Sequence, residues 1–275
     1  MYEPAVKWTG SKRKQAEKII SYFPDKIDTY YEPFCGGCSV LNRLMQTDRI
    51  TVNRFVVSDI NKDLIGLWQM IKDEPAKVSK AYEGHWNKLV GLSDIAKKKE
   101  YYEFVRKEYN TYHRPEDFMF IMRTTVNGMP RYNKLGEFNN SFHISRNGIE
   151  PVKLDKIIHT WSELLNKHNI EFRACNYTGI HSKIGDYLYL DPPYANTKGI
   201  YYGKIDYTEF FSWLSSQQAD WSLSFDGISG SDDNTYEVDK SLYTRHVYLD
   251  SGNSGFKRVL GKDKGAEVRE SLYIK

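Results

Sequence analysis

Short apolar runs that end in turn residues recur along the chain, and amphipathic helical patterns separate them. The runs are typical of buried strands, and they cover residues 29–33, 55–58, 187–190, 221–225 and 244–249. Helical patterns cover residues 12–22, 39–47, 154–167 and 208–216, the last with Thr208 as its predicted N-cap. Because strands that alternate with helices generally pair in parallel, we predict an α/β fold built on a mostly parallel sheet.

The alternation is interrupted between residues 65 and 150. Helical patterns at 64–71, 76–89 and 94–109 are followed by residues 126–148, which are rich in Asn, Gly, Arg and Phe and too polar and irregular for core. We therefore predict two domains. Residues 1–64 and 151–275 form the α/β domain, and residues 65–150 form an inserted, helix-rich subdomain. A further loop is predicted at residues 227–234.

The composition is that of a globular protein, with 40% hydrophobic and 27% charged residues among 275. No apolar run approaches the roughly 18 residues of a membrane-spanning helix, and the first residues carry no secretion signal. Three cysteines are too few for a disulfide framework, which fits a reducing compartment. We expect a cytoplasmic protein with no membrane partner. Its net charge of +3 is too small to identify a partner alone, although lysines and one arginine cluster in residues 7–18.

A glycine turn follows the first predicted strand, in the segment Glu32-Pro33-Phe34-Cys35-Gly36-Gly37-Cys38-Ser39. Glycines at this point allow the backbone to approach a ligand closely, and an ordinary strand-to-helix turn explains the segment about equally well. Cys35 and Cys38 also form a C-x-x-C pattern, but no second Cys or His pair completes a zinc site, so no metal is expected.

An acid, Asp59, ends the second predicted strand, about 23 residues after the glycine turn. In nucleotide sites a carboxylate at this spacing accepts hydrogen bonds from ribose hydroxyls. The alternative is that Asp59 caps the following helix. The turn and the acid together indicate an adenosine-containing cofactor.

A third motif, Asp191-Pro192-Pro193-Tyr194, follows a strand and forms a rigid turn. Asp191 and the carbonyl of Pro192 can accept both hydrogens of a flat exocyclic amine, while the ring of Tyr194 stacks on the base. The motif therefore favours chemistry on an amino-purine or amino-pyrimidine.

These motifs resemble the Dam-type (D12 class) DNA adenine N6-methyltransferases, in the alpha-group motif order. The family's opening block corresponds to residues 7–12, its cofactor turn to 32–39, and its closing motif to 191–194. Residues 123–133 and 136–139 are similar to its target-reading segment. Two positions depart from the pattern: Cys38 stands in place of a glycine, and Ser145 occupies an aromatic position.

The resemblance implies a Rossmann-like class I methyltransferase whose cofactor is S-adenosylmethionine and whose inserted subdomain recognises the target. Implied cofactor-binding residues are Trp8, Ser11, Lys12, Glu32, Phe34, Gly36, Gly37, Asp59, Ile60, Asn176, Tyr177 and Asp191. Implied catalytic residues are Asp191, Pro192, Pro193 and Tyr194. Implied DNA contacts are Lys7, Arg123, Asn127, Met129, Arg131, Tyr132, Asn133 and Asn139.

The implied reaction is methylation of the N6 amine of an adenine flipped out of double-stranded DNA. The expected target is GATC or a shorter, looser site such as GA, since Ser145 replaces the aromatic residue. A restriction endonuclease of the same system is a candidate partner. The alternatives are a cytosine N4 methyltransferase, whose relatives more often carry Ser at the position of Asp191, and an inactive DNA-binding relative. The intact 191–194 motif disfavours the last.

Overall fold

The computed structural model describes residues 2–194, 205–253 and 267–275, and it is a mixed α/β protein. The helices in these residues are α1 Ala16–Ile20, α2 Ser39–Leu44, α3 Lys62–Asp73, α4 Pro75–Val90, α5 Ile95–Tyr112, α6 Pro115–Thr124, α7 Pro151–Asn166 and α8 Tyr207–Ser216. The strands are β1 Lys26–Glu32, β2 Thr51–Asp59, β3 Ile170–Ala174, β4 Tyr187–Leu190, β5 Asp220–Ser229, β6 Asp232–Asp233, β7 Arg245–Asn253 and β8 Glu267–Ile274. In the part described, no helix is both long and apolar enough to span a membrane.

The described residues fall into two compact units. The helical unit contains residues 2–11 and 58–175, and the sheet unit contains residues 12–57, 176–194, 205–253 and 267–275. This division differs from the predicted limits at 64/65 and 150/151, because α7 packs on α3 and α4 and so belongs to the helical unit. The proposed separation into catalytic and target-reading functions stays a prediction.

The sheet of the sheet unit has the strand order β2-β1-β4-β5-β8-β7. Strands β2, β1, β4 and β5 pair in parallel, which confirms the predicted α/β class. Strand β8 enters between β5 and β7 and runs antiparallel to both. The sheet is therefore parallel in its first half and antiparallel in its second.

Strand β4 lies at the centre of the sheet-unit core, and all four of its side chains are buried. A strand that is covered on both faces has a continuous apolar sequence rather than an alternating one. Residues 187–190 could therefore be predicted as a strand from the sequence. Its two tyrosines need hydrogen-bond partners, and β5 supplies serines. The hydroxyl of Tyr187 lies 2.5 Å from Ser222 Oγ, and that of Tyr189 lies 2.9 Å from Ser224 Oγ.

Aromatic packing and caps organise the helical unit. Trp68 and Trp161 pack with ring centroids 4.8 Å apart. The indole N–H of Trp161 donates to the carbonyl of Glu3 at 2.7 Å, which fixes the N-terminal segment to α7. Helix α3 is capped by Asn61, whose Oδ1 accepts the backbone N–H groups of residues 63 and 64.

Three local predictions were wrong. Residues 126–148 do enter the core, since Phe138 and Phe142 are buried. Residues 227–234 are not simply a loop, because β5 continues to Ser229 and pairs with β6. Helix α8 is capped by Asp206 rather than Thr208, since the Asp206 carboxylate accepts two N–H groups of the first turn.

Candidate active site

Strand β4 delivers Asp191 to the carboxyl end of the parallel strands, where α/β proteins bind their ligands. The turn that follows is held in place by α8, because the hydroxyl of Tyr207 donates to the carbonyl of Pro193 at 2.7 Å. Pro192 is buried, and the ring of Tyr194 packs edge-on against Phe225 with centroids 5.9 Å apart. The four predicted catalytic residues therefore lie in one segment that is anchored to α8 and to Phe225.

The carboxylate of Asp191 lies in a polar but poorly solvated position, with 19% of its side chain exposed. Burial raises the pKa of Asp191 to about 6, the Lys12 ammonium opposes that rise, and Glu270 adds to it. The nearby Tyr194 hydroxyl also favours the charged form. Asp191 is thus mainly ionised at neutral pH, yet it has a higher proton affinity than an exposed aspartate.

Lys12 is 6% exposed, and its ammonium lies between two carboxylates. The Nζ atom is 3.0 Å from Asp191 Oδ1 and 3.3 Å from Glu270 Oε2. It also lies 4.9 Å from the centre of the Tyr194 ring. The resemblance implies that Lys12 binds the cofactor, and that role stays a prediction beside these two observed ion pairs.

The glycine turn links β1 to α2 through left-handed backbone conformations. Gly36 has φ +45°, and Cys38 has φ +53° at the N-cap of α2. Cys38 thus adopts a conformation that a glycine would hold without strain. Next to the turn, the ring of Phe34 packs near Tyr177 and Phe210, with centroids 5.5 Å and 6.1 Å away. These rings form an apolar wall beside the turn.

Glu32, at the end of β1, is 3% exposed and accepts a 2.7 Å hydrogen bond from the Tyr30 hydroxyl. Burial raises the pKa of Glu32 to about 8, and the charge of Asp191 adds to the effect. Glu32 is therefore mostly protonated at neutral pH. In that form its carboxyl group can donate one hydrogen bond as well as accept.

The sheet unit holds Lys12, Glu32, Phe34, Gly36, Gly37, Asn176, Tyr177 and Asp191 from the predicted cofactor set, and the helical unit holds Trp8, Ser11, Asp59 and Ile60. Tyr177 is buried, whereas Asn176 is exposed and its Oδ1 accepts the N–H of Thr178. In the helical unit, Trp8 is half-buried, while Ser11 and Ile60 are exposed.

Asp59 does not cap α3, because Asn61 fills that position. The Oδ1 atom of Asp59 instead accepts the backbone N–H of Asn61 at 2.9 Å, and the carbonyl of Asp59 accepts the N–H of Cys175 at 3.1 Å. The carboxylate is half-buried at the end of β2. The helix-cap alternative for Asp59 is therefore removed, and its ribose role stays a prediction.

Two of the predicted DNA contacts have cationic groups that are removed from solvent, partly for Lys7 and largely for Arg123. The guanidinium of Arg123 donates to the carbonyls of Pro4 and Ala5, and burial lowers its pKa to about 10. Burial, together with two neighbouring arginines, also lowers the pKa of Lys7, whose Nζ lies 3.4 Å from the carbonyl of Thr125. The contacts observed for Arg123 are with the chain itself, so this geometry gives its predicted DNA role no support.

Residues 131–139 form a hairpin, which we call the target hairpin. Two backbone hydrogen bonds hold its arms together. The N–H of Asn139 donates to the carbonyl of Arg131, and the N–H of Asn133 donates to the carbonyl of Glu137. The Asn133 side chain closes the tip, since its Oδ1 accepts the N–H groups of Leu135 and Glu137. Arg131 is exposed at the base of this hairpin.

The segment before the target hairpin is ordered by a residue that sequence reasoning missed. The side-chain amide of Asn140 donates to the carbonyls of Val126 and Met129, both at 3.0 Å. This fixes a turn in which Asn127 has φ +57° and an exposed side chain, while Met129 is half-buried. An asparagine in an Asn-rich stretch carries no sequence signal for such a role.

The sequence of this chain is similar to a known protein family. Residues 8–257 match the model of the D12 class N6 adenine-specific DNA methyltransferases. The chain is 28% identical over 202 residues to the Type II methyltransferase M1.LlaDCHI of Lactococcus lactis subsp. cremoris, which covers 70% of this chain and 65% of that protein. It is 28% identical over 204 residues to the Type II methyltransferase M.MjaIII of Methanocaldococcus jannaschii, and this match covers 70% of this chain and 69% of that protein. The DNA adenine methylase of Haemophilus influenzae is also 28% identical, and this match covers 70% of this chain and 64% of that protein.

The chain thus spans about two thirds of the length of these relatives. Among solved structures, the rRNA methyltransferase aviRa from Streptomyces viridochromogenes covers all of this chain and 85% of its own, with a TM-score of 0.40 and 11% identity, and a likeness this low supports no inference. The family model matches far more than half of the sequence. This chain therefore belongs to the D12 class N6 adenine-specific DNA methyltransferase family.

Proposed function

We propose that this protein transfers a methyl group from S-adenosylmethionine to the N6 amine of adenine in DNA. The observation that carries the proposal is the position of Asp191, a poorly solvated carboxylate that follows a buried strand and precedes two prolines. The carbonyl of Pro192 and the ring of Tyr194 belong to the same turn. Together they offer two hydrogen-bond acceptors and a stacking surface, which is what a flat aromatic amine requires.

The N6 lone pair of adenine is conjugated with the ring, so the amine is a poor nucleophile. Hydrogen bonds accepted by Asp191 and the Pro192 carbonyl pull the nitrogen toward tetrahedral geometry and free the pair for attack. When bound, S-adenosylmethionine supplies an electrophilic methyl carbon. If the methyl group of the bound cofactor were transferred to this nitrogen, with its S–C bond broken, the amine would become acidic, and the raised pKa of Asp191 suits that carboxylate to accept the proton.

The residues present fit this cofactor. In the sheet unit, the aromatic wall of Phe34 and Tyr177 suits an adenine ring, and the backbone of the glycine turn can approach closely. In the helical unit, Asp59 presents a half-buried carboxylate for ribose hydroxyls. We propose these residues as the cofactor-binding set, together with the other predicted positions in each unit.

Double-stranded DNA is the proposed substrate, and the adenine must leave the helix because N6 takes part in base pairing. Stacking on Tyr194 would offset part of the cost, which is a few kcal/mol. The target hairpin is the proposed reading element, at GATC or a shorter site. Since two of the relatives are named Type II methyltransferases, we also propose a restriction endonuclease as partner. We further propose a cytoplasmic location.

Asp191→Ala tests the proposal. It should abolish methyl transfer to DNA while S-adenosylhomocysteine, titrated calorimetrically, still binds within about tenfold of the parent affinity, because the role that we propose for Asp191 is toward the substrate amine. Asp220→Ala, which removes an exposed acid from β5, is the matched control and should retain activity. Residual activity above a few per cent in Asp191→Ala would refute the catalytic assignment.

Nucleoside analysis of the methylated DNA distinguishes the alternatives. N6-methyladenine supports the proposal, and N4-methylcytosine would replace it with the cytosine reaction. DNA binding with no transfer and no uptake of S-adenosylmethionine would instead identify an inactive relative.

A further inference from the structure

Lys12 binds two carboxylates, and only one of them belongs to a recognised motif. The other is Glu270 on β8, whose Oε2 lies 3.3 Å from Lys12 Nζ. Glu270 is 20% exposed and Lys12 is 6% exposed, so neither charge is fully solvated. The single ammonium of Lys12 therefore forms ion pairs with two poorly solvated carboxylates.

The arrangement is fixed by the strands around it. Glu270 lies opposite Leu249 of β7 in the antiparallel register. The side-chain amide of the buried Gln15 donates to the carbonyl of Leu249 at 3.2 Å and to Ser251 Oγ at 2.7 Å. Since Gln15 is three residues after Lys12, these bonds hold the segment that carries Lys12 against the same strand that pairs with Glu270.

We propose that Glu270 is a positioning residue of the methyl-transfer site: by sharing the Lys12 ammonium, it leaves Asp191 only partly neutralised and so sets how strongly Asp191 accepts hydrogen bonds and a proton from the substrate amine. The catalytic part of this inference rests on the proposed function, because it concerns the substrate amine. The electrostatic relation among the three side chains can be measured without substrate.

The physical basis is the sign of each neighbouring charge. An aspartate paired with its own lysine is a weak base, because the ammonium favours the charged carboxylate. A second carboxylate on the same ammonium opposes that effect. The Tyr194 hydroxyl also acts on Asp191 and favours its charged form. The charge of Asp191 in turn raises the pKa of Glu32 and of Tyr189, so these two groups face the same carboxylate.

The test is a carboxyl ¹³C NMR titration of the unliganded protein, with the Asp191 signal assigned by its loss in Asp191→Asn. Glu270→Gln should move the Asp191 midpoint to lower pH by about one unit, because a neighbouring negative charge is removed. Lys12→Gln should move it to higher pH. Glu267→Gln, which removes an exposed charge from the same strand but three residues away, should leave it unchanged.

Glu270→Asp restores the charge and should return the midpoint toward the parent value, which separates a charge effect from a packing effect. Circular dichroism melting checks that each variant is folded. An unchanged midpoint in Glu270→Gln, or a shift in the same direction as Lys12→Gln, would overturn the inference.

Methylation rates measured against pH give the second readout. The acid limb of the profile should move to lower pH in Glu270→Gln and to higher pH in Lys12→Gln. If the parent protein does not methylate DNA, the proposed function fails, whereas the NMR titration still decides the charge relation. If the parent protein is active and its acid limb does not move in Glu270→Gln, the positioning role fails alone.

Discussion

The side-chain amide of Asn61 donates a 2.8 Å hydrogen bond to the hydroxyl of Tyr132. This bond joins the residue that caps α3 to the target hairpin. A second contact supports it, since the hydroxyl of Tyr109 lies 3.5 Å from that of Tyr132 and donates to Asp63 at 2.5 Å. The hairpin that we propose for DNA reading is therefore tied, within the helical unit, to the residues that directly follow Asp59.

Tyr132→Phe should destabilise the protein by about 1–2 kcal/mol, because it leaves the Asn61 amide without its half-buried acceptor. The ring and its edge-on packing with Phe138 are retained, so the loss reports the hydroxyl. Urea unfolding measures the change. Tyr112→Phe, at a tyrosine that is 60% exposed, is the control and should have no effect. Equal stability of the two variants would contradict the prediction.

Gly128→Ala should disrupt the start of the target-reading segment. Gly128 has φ +62°, and an added Cβ would lie 2.7 Å from Lys7 Cγ and 2.8 Å from the Lys7 carbonyl oxygen. We expect a loss of about 2–4 kcal/mol in unfolding free energy, from backbone strain and the clash together.

Gly136→Ala isolates the strain, because Gly136 has φ +81° and nothing near its Cβ position. It should cost only about 1 kcal/mol. Thermal or urea unfolding of the two variants gives the comparison, and a Gly128 variant no less stable than the Gly136 variant would rule out the clash.

Glu32→Gln should flatten the pH dependence of stability. Since the folded-state pKa of about 8 is above the ordinary value of 4.5, the native protein keeps a proton that the unfolded chain releases. That contribution to stability is complete below pH 4.5 and is lost as pH rises toward 8, at about 1.4 kcal/mol per unit.

The free energy of unfolding, measured without ligands at pH 5, 6.5 and 8, checks this. The difference between Glu32→Gln and the parent should grow in favour of the variant as pH rises. Glu163→Gln, at an exposed acid on α7, should show no such trend. A constant difference for Glu32→Gln would mean that Glu32 is ionised in the folded protein throughout this range.

Arg131→Ala should relax base preference at one position of the target, because bidentate arginine to guanine is worth about 1–3 kcal/mol against a wrong base. Methylome mapping in a methylation-free host measures the preference. If Arg131 contacts a phosphate instead, its loss would weaken binding to all DNA sequences alike. It would also lower the slope of log binding constant against log salt concentration by about one unit. Lys134→Ala, at the exposed hairpin tip, is the control for general loss of charge. Uniform loss with an unchanged motif would exclude base reading.

Sequence patterns located most of the sheet, because β1, β2, β4, β5 and β7 each contain an apolar run. They did not reveal β8, whose sequence EVRESLYI mixes charges with apolar residues although it lies between two other strands. They also missed α6, whose residues 117–122 are all buried. Residues 118–122 form a short continuous apolar run, and periodicity alone does not distinguish such a run in a helix from a buried strand.

For the candidate site, the motif at Asp191 was visible because prolines after a strand are chemically distinctive. Glu270 was not, since one glutamate in a strand is unremarkable until the fold sets it beside Lys12. Arg123 is a different case, and its DNA role stays a prediction. A basic residue near a target-reading segment suggests a DNA contact, but burial turns its guanidinium toward the carbonyls of Pro4 and Ala5.

The place of β8 between β5 and β7 also bears on how the nascent chain folds. As the ribosome releases the chain in order, β5 and β7 emerge with no strand to join them, and both present open edges until residues 267–274 follow. Unpaired edges are sites of intermolecular association, and pairings between distant segments form slowly. The sheet unit therefore closes only after synthesis has passed β8, and soluble yield should improve where a chaperone shields those edges.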